Sequence, residues 1–346
     1  MGGLTGIEAK RLDSRESEDG PLAPRAVSEA MERLKPWVHR TPVLSSRSLD
    51  ERSGAAVFLK CENFQRVGAF KFRGAMNALL QLDEPSRRVG VITHSSGNHA
   101  QALALAGKLL NVPVCVVMPS NAPAIKRQAT EARGARIVSC EPTLAAREAT
   151  VNALIEQHGY RLVHPFDDWR VIAGQGTAAR ELLEDVEGLD VILTPVGGGG
   201  LLAGTILAVQ GYSPRTRVVG VEPERADDAR RSLRSGSIEP SGDPITIADG
   251  LRTSLGGRPF SIIQHGVQDI LTASEADIIA TMRFVWERFK IVIEPSCAVP
   301  VVPIANGDFD VRGQRVGIII SGGNVDLDPL FDALQARWLG GATSSS

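Results

Sequence analysis

Along this chain, short β-branched runs alternate with longer stretches rich in Ala, Leu, Arg and Glu. The runs are Val57-Phe58-Leu59, Val89-Gly90-Val91-Ile92, Val114-Cys115-Val116-Val117, Arg136-Ile137-Val138, Val191-Ile192-Leu193, Val218-Val219-Gly220-Val221 and Gly317-Ile318-Ile319-Ile320. They are apolar without polar alternation, so they read as strands covered on both faces. The intervening stretches predict helices over 97–110, 121–133, 143–158, 174–187, 201–210 and 274–289. Buried strands each followed by a helix describe α/β layers on mainly parallel sheets. No repeat of fixed period is visible, and 235–244 (SGSIEPSGDP) reads as a surface loop. Residues 1–20 are charged and aperiodic, a loose arm, and the closing GGATSSS reads as equally unstructured.

A length of 346 residues suits one large or two ordinary domains. The formal charge of -2 leaves no bulk charge to hold nucleic acid or an anionic membrane. No run reaches membrane-span length, and residues 1–30 carry no apolar signal region. Cys61, Cys115, Cys140 and Cys297 form no CxxC pair and no cluster with histidine. That spacing points to buried thiols in a reducing cytoplasm, away from a disulfide framework or zinc site. The excess of glycine, 35 residues, favours tight turns and close approach of backbone to a ligand.

Four segments then concentrate chemistry. Lys71 lies in Gly68-Ala69-Phe70-Lys71-Phe72-Arg73-Gly74-Ala75, an amine between aromatic rings among small residues. Partial desolvation there favours the neutral amine that forms Schiff bases with carbonyl compounds. A helix-start lysine snorkelling over a phenylalanine fits the same residues. Val196-Gly197-Gly198-Gly199-Gly200-Leu201 follows a strand and opens an apolar helix, so its N–H groups can converge on a phosphate. It lacks both the Lys-Ser/Thr of a P-loop and the GxGxxG spacing of a dinucleotide fold; a ligand-free glycine turn is the alternative. Thr93-His94-Ser95-Ser96-Gly97-Asn98-His99 stands at another strand–helix junction. Its hydroxyl, amide and N–H groups can grip a carboxylate, and its imidazoles can move protons, whereas a simple N-cap needs only one of them. Ser321-Gly322-Gly323-Asn324 ends the last apolar run, where α/β sheets present ligand-contacting residues; a plain turn is the other reading.

In order from Lys60 to Leu327 stand KxxNxQxxGAFKxRGA, THSSGNHAQ, VIAGQGT, PVGGGGLLAG, TIADG and SGGNVDL. On these motifs the chain resembles the fold-type II (tryptophan synthase β-like) pyridoxal-phosphate enzymes, specifically the serine/threonine dehydratase and serine racemase group. The resemblance implies an α/β fold of two domains, each with a mainly parallel sheet flanked by helices. The large, cofactor-binding domain would comprise 21–83 and 168–338, and the small mobile one 84–167, with a disordered tail over 339–346. Lys71 would hold pyridoxal phosphate and later act as base at Cα; Phe70 would pack against the ring, and Asn98 would bond the ring hydroxyl. Gly197, Gly198, Gly199 and Gly200 would bind the phosphate, and Ser321 would face the pyridine nitrogen. A neutral serine cannot keep that nitrogen protonated as a carboxylate would, which suits prompt β-elimination over a long-lived carbanion.

By the same resemblance, Ser95, Ser96, Gly97, Asn98 and His99 would hold the substrate carboxylate. Ser96 gives the SSGNH form of racemases and hydroxyaspartate dehydratases, and its hydroxyl could donate a proton on the ring face opposite Lys71. Arg147 matches an arginine that meets dicarboxylic ligands, although a solvated arginine on the helix over 143–158 fits equally well. Glu222, the Ala226 carbonyl and Asp228 match a divalent-cation site suited to Mg²⁺, Ca²⁺ or Mn²⁺; a charged loop without metal would look similar. The chain stops soon after Asp326-Leu327-Asp328, so isoleucine inhibition through a C-terminal regulatory domain is not expected. ATP activation is not expected either, because the Gln128-Ala129-Thr130-Glu131 region lacks the aromatic residue of animal racemases. The first expectation is a cytoplasmic homodimeric ammonia-lyase acting on L-threonine or L-serine. Threo-3-hydroxyaspartate dehydration and serine racemisation are the rivals within the fold. A silent amino-acid sensor is the rival outside it, disfavoured because a sensor has no need of Lys71.

Overall fold

The structure, a computed structural model, describes residues 22–122, 124–328, 331–332 and 335–336. The arm over 1–20 and the tail over 339–346 lie outside the described residues. In chain order the strands are β1 (Val43–Leu44), β2 (Ala56–Cys61), β3 (Val91–His94), β4 (Val114–Pro119), β5 (Arg136–Cys140), β6 (Arg161–Leu162), β7 (Val191–Pro195), β8 (Arg217–Pro223), β9 (Asp269–Ala273) and β10 (Arg315–Ile320). They form a six-stranded sheet of order β1-β2-β10-β7-β8-β9 and a four-stranded sheet of order β5-β4-β3-β6. The β1–β2 pair is antiparallel and the other pairs are parallel. This is the α/β architecture that the apolar runs predict.

Each predicted run enters a strand, with one shift. Val89 closes the helix Glu84–Val89, and Gly90, at φ +101°, turns the chain before β3 begins. β1 and β6 are too short to leave a pattern, and β9, at the sheet edge, mixes polar with apolar residues. The predicted helix over 174–187 instead spans Trp169–Asp185. Asp168 starts it early, accepting from the N–H groups of Arg170 (2.8 Å) and Val171 (3.4 Å) as an N-cap.

Three helices, Lys71–Leu80, Trp169–Asp185 and Gly200–Tyr212, pack together. Gly176 meets Gly204 so closely that a Cβ on Gly176 would lie 2.5 Å from the Gly204 carbonyl oxygen. Beside this contact lies a buried ionic cluster. The Arg73 guanidinium donates to Glu62 at 2.7 and 2.8 Å and to Glu181 at 2.7 and 2.9 Å. Lys60 Nζ reaches Glu181 at 2.8 Å, and Thr41 donates to Glu62 at 2.6 Å. The side chains of Lys60, Glu62 and Arg73 are all 0% exposed.

β10, the last of the described strands, lies between β2 and β7. Its position carries Ser321–Asn324 to the loop before Lys71. Among the described residues, no helix is long and apolar enough to cross a membrane.

Candidate active site

The loop leading into Lys71 is stitched to the end of β10. Phe70 N–H donates to Ser321 O and Gly323 N–H to Gly68 O, both at 2.9 Å, and Ala69 bridges Gly322. Within this loop Val67 sits at φ +57°, a region that costs a β-branched residue on the order of 1–3 kcal/mol. Asn324 Nδ2 holds it there by donating to Val67 O at 2.7 Å.

Lys71 opens its helix with Nζ 5.1 Å from the Phe70 ring centroid, donating to Pro165 O at 2.9 Å. Burial pulls the amine down to about 8, against the opposing pull of the Glu294 carboxylate. The residue after Pro165 joins this lysine to the glycine turn. A Cβ on Gly198 would lie 2.2 Å from Phe166 Cγ, so only glycine lets that ring seat against the turn. Gly199, at φ +86°, completes the turn into the helix Gly200–Tyr212, and all four glycines Gly197–Gly200 are buried. An amine that gives up its proton more readily than a free lysine, beside a side-chain-free helix N-terminus, fits an aldehyde that carries a phosphate.

Asn98 begins the helix Asn98–Leu110, reached from β3 through Ser95, Ser96 and Gly97. Its amide donates to both oxygens of Glu294 at 3.0 and 3.1 Å and accepts from Asn324 Nδ2 at 2.9 Å. Glu294 also accepts from the Asn324 N–H at 3.1 Å, and burial raises its carboxyl to about 7. Sequence reasoning missed Glu294, although a charge at the end of the apolar Ile291-Val292-Ile293 run was the available signal.

His99 is buried, with Nε2 3.3 Å from Val163 O and Nδ1 without a partner. Burial, with Lys71 nearby, holds it well below the usual imidazole range. His94 and His164 form an edge-on pair with centroids 5.1 Å apart, and burial lowers each to about 4. His164 was also missed; its ring meets Phe166 at 4.6 Å. Arg147, half-buried on the helix Leu144–His158, disfavours the His94 proton, and its Nε is buried without a partner.

The last predicted trio lies behind the glycine turn. Glu222, at the end of β8, accepts from the N–H groups of Ala229 (3.1 Å) and Arg230 (2.9 Å). Asp228 Oδ2 accepts from Leu255 N–H at 3.2 Å, while Oδ1 is buried without a partner. Burial, helped by neighbouring acids, raises Glu222 to about 8 and Asp228 to about 6. Two buried acids, one with an orphaned oxygen, and the short helical turn Glu224–Ala226 between them are a donor set that fits a hard cation. Leu255 links this set to the turn, because its Cδ2 lies 2.7 Å from where a Gly199 Cβ would stand.

Comparison with known proteins identifies the family. A serine racemase from Dictyostelium discoideum is 48% identical over 313 residues, covering 89% of this chain and 97% of its own. An L-threo-3-hydroxyaspartate ammonia-lyase from Pseudomonas sp is 49% identical over 310 residues, with coverage of 89% and 97%. The structure of maize serine racemase superimposes with a TM-score of 0.90 at 38% identity, covering 93% of this chain and 99% of that one. Residues 34–322 match the family described as "Pyridoxal-phosphate dependent enzyme". The chain belongs to this pyridoxal-phosphate dependent family, and its cofactor is pyridoxal phosphate.

Proposed function

We propose that this enzyme is an ammonia-lyase for β-hydroxy-L-amino acids, with a β-carboxylate substrate such as threo-3-hydroxyaspartate ahead of serine and threonine. The carrying observation is Arg147, a half-buried guanidinium whose Nε has no partner, beside the strand that delivers Ser95 and Ser96. A cation so placed suits a second substrate carboxylate. The hydroxyaspartate lyase relative supports this reading, and the racemase relative supports serine racemisation at Ser96 as a second activity.

Pyridoxal phosphate, when bound, supplies the electron-poor ring that acidifies the Cα–H of the amino acid it carries. Lys71 anchors the cofactor, and its amine, pulled to about 8, is poised to accept the Cα proton near neutral pH. Gly197–Gly200 take the phosphate with Phe70 against the ring, Asn98 orients the ring hydroxyl, and Ser321 meets the ring nitrogen. Ser95, Ser96, Gly97, Asn98 and His99 form the wall that receives the α-carboxylate, and the Ser96 hydroxyl is a second proton source. Glu222, the Ala226 carbonyl and Asp228 hold Mg²⁺, Ca²⁺ or Mn²⁺ as a structural ion behind the phosphate turn. Residues 84–167 close over the substrate and exclude water; Lys126 of this segment reaches Asp249 at 2.6 Å. The active form is a cytoplasmic homodimer.

Ammonia and 2-oxo acid release from threo-3-hydroxyaspartate, L-serine and L-threonine tests this, with chiral analysis of residual serine. Arg147→Ala is expected to cut kcat/KM for 3-hydroxyaspartate by about tenfold to a hundredfold, the cost of a lost charged hydrogen bond, and to spare L-serine. Equal loss on both substrates would remove Arg147 from substrate recognition.

A further inference from the structure

One short segment backs two ends of the cofactor site. Glu294 caps the turn Pro295–Ala298 and grips Asn98, while Cys297, three residues on, places Sγ 3.2 Å from Ser321 Oγ. The surroundings of the thiol decide where its proton goes. Gly322 O, 2.7 Å away, can only accept, and Gly322 N–H, 2.8 Å away, points its own proton at sulfur. Cys297 is fully buried, and burial with the Glu294 charge nearby holds the thiol well above its usual range, so it stays S–H. The thiol proton therefore belongs to Gly322 O, and a sulfur lone pair faces the Ser321 hydroxyl.

We propose that Cys297 is a positioning residue for Ser321, giving its hydroxyl proton a second acceptor besides the pyridine nitrogen of the cofactor. With the proton directed to nitrogen, the ring nitrogen is neutral and accepts. With the proton directed to sulfur, the oxygen lone pair is free to accept from a protonated ring nitrogen. The thiol thus lets one neutral serine serve both states of the ring, and the protonated state is the stronger electron sink. Alanine at this position removes the choice and ties Ser321 to the neutral ring. The inference rests on Ser321 meeting the ring nitrogen, as proposed above.

The test loads the enzyme with ¹⁵N-labelled pyridoxal phosphate and follows the ring-nitrogen resonance in wild type, Cys297→Ala, Cys297→Ser and Ser321→Ala. Wild type is expected between the neutral and protonated limits, Cys297→Ala displaced to the neutral limit, and Cys297→Ser, which keeps an acceptor, back at the wild-type position. The ratio of racemisation to elimination on L-serine should fall in Cys297→Ala. Should that variant fail to fold, Cys297→Val, which fills the space without an acceptor, is expected to show the same displacement. A resonance unmoved by loss of the acceptor, while Ser321→Ala moves it, overturns the role of Cys297 alone. A resonance unmoved by Ser321→Ala removes Ser321 from the ring nitrogen, and the proposal falls with it.

Discussion

Around Arg73, the buried charges find their complements within the chain: guanidinium, ammonium and two carboxylates close on one another with a threonine hydroxyl. Around the cleft and the acid pair behind it, the pattern is reversed. Lys71 meets one backbone carbonyl, Arg147 Nε and His99 Nδ1 meet nothing, and Asp228 keeps an orphaned oxygen beside a second acid. Both regions bear the desolvation cost of polar groups. One has returned that cost to the fold through its own ion pairs; the other leaves it unreturned, as the proposed substrate and cation sites require. Internal saturation marks structure, and organised incompleteness marks a site.

Three experiments press on this contrast, in descending order of effect. Arg73→Ala leaves Glu62 and Glu181 buried beside each other, so denaturant unfolding should show a loss of about 3–5 kcal/mol. A loss no larger than that of an ordinary surface change would mean the cluster does not hold the helices together. The acid pair should behave in the opposite way. Without a cation, Glu222 at about 8 and Asp228 at about 6 bind protons that the unfolded chain, with ordinary values of 4.5 and 3.8, has already released. Stability from this pair is therefore lost as pH rises through those windows. A cation needs both groups ionised, so its benefit grows over the same range, reaching about 2.7 kcal/mol at a hundredfold excess over Kd. Melting with Mg²⁺, Ca²⁺ or Mn²⁺ against chelator at pH 5.5 and 8.5 reads this out, and Asp228→Asn should abolish the difference.

The smallest effect belongs to Lys71. Its folded amine releases its proton at about 8 and the unfolded one at 10.5, so the unfolded chain binds more protons in between. Stability of the cofactor-free protein should rise with pH across that window. Lys71→Met should flatten the rise by lifting neutral-pH stability toward the high-pH level, because the apolar isostere removes the desolvation cost of the buried ammonium. A rise that persists in the variant would assign it to another group.

The sequence was most legible where chemistry is local. β10 and β7 are apolar enough to read as buried strands, and the lysine and glycine segments carry their composition in consecutive residues. Illegible residues are those whose meaning comes from a distant partner. Glu294 matters because Asn98 lies 196 positions away and within 3.0 Å. Cys297 matters because β10 brings Ser321 to it, and His164 because a two-residue strand turns it toward His94. A similar shortfall affected the helix Trp169–Asp185, whose first turn depends on a cap outside its apolar pattern.

The position of β10 has a consequence for how the enzyme comes into being. The last described strand to be made is the one inserted between β2 and β7, and it carries Ser321 to the loop of Lys71. A chain leaving the ribosome can complete the four-stranded sheet early, but its larger sheet keeps a gap until residue 320 has emerged. Lys71 is thus synthesised long before the strand end that packs against its loop. The surroundings of Lys71 therefore take their final form only once β10 is seated between β2 and β7.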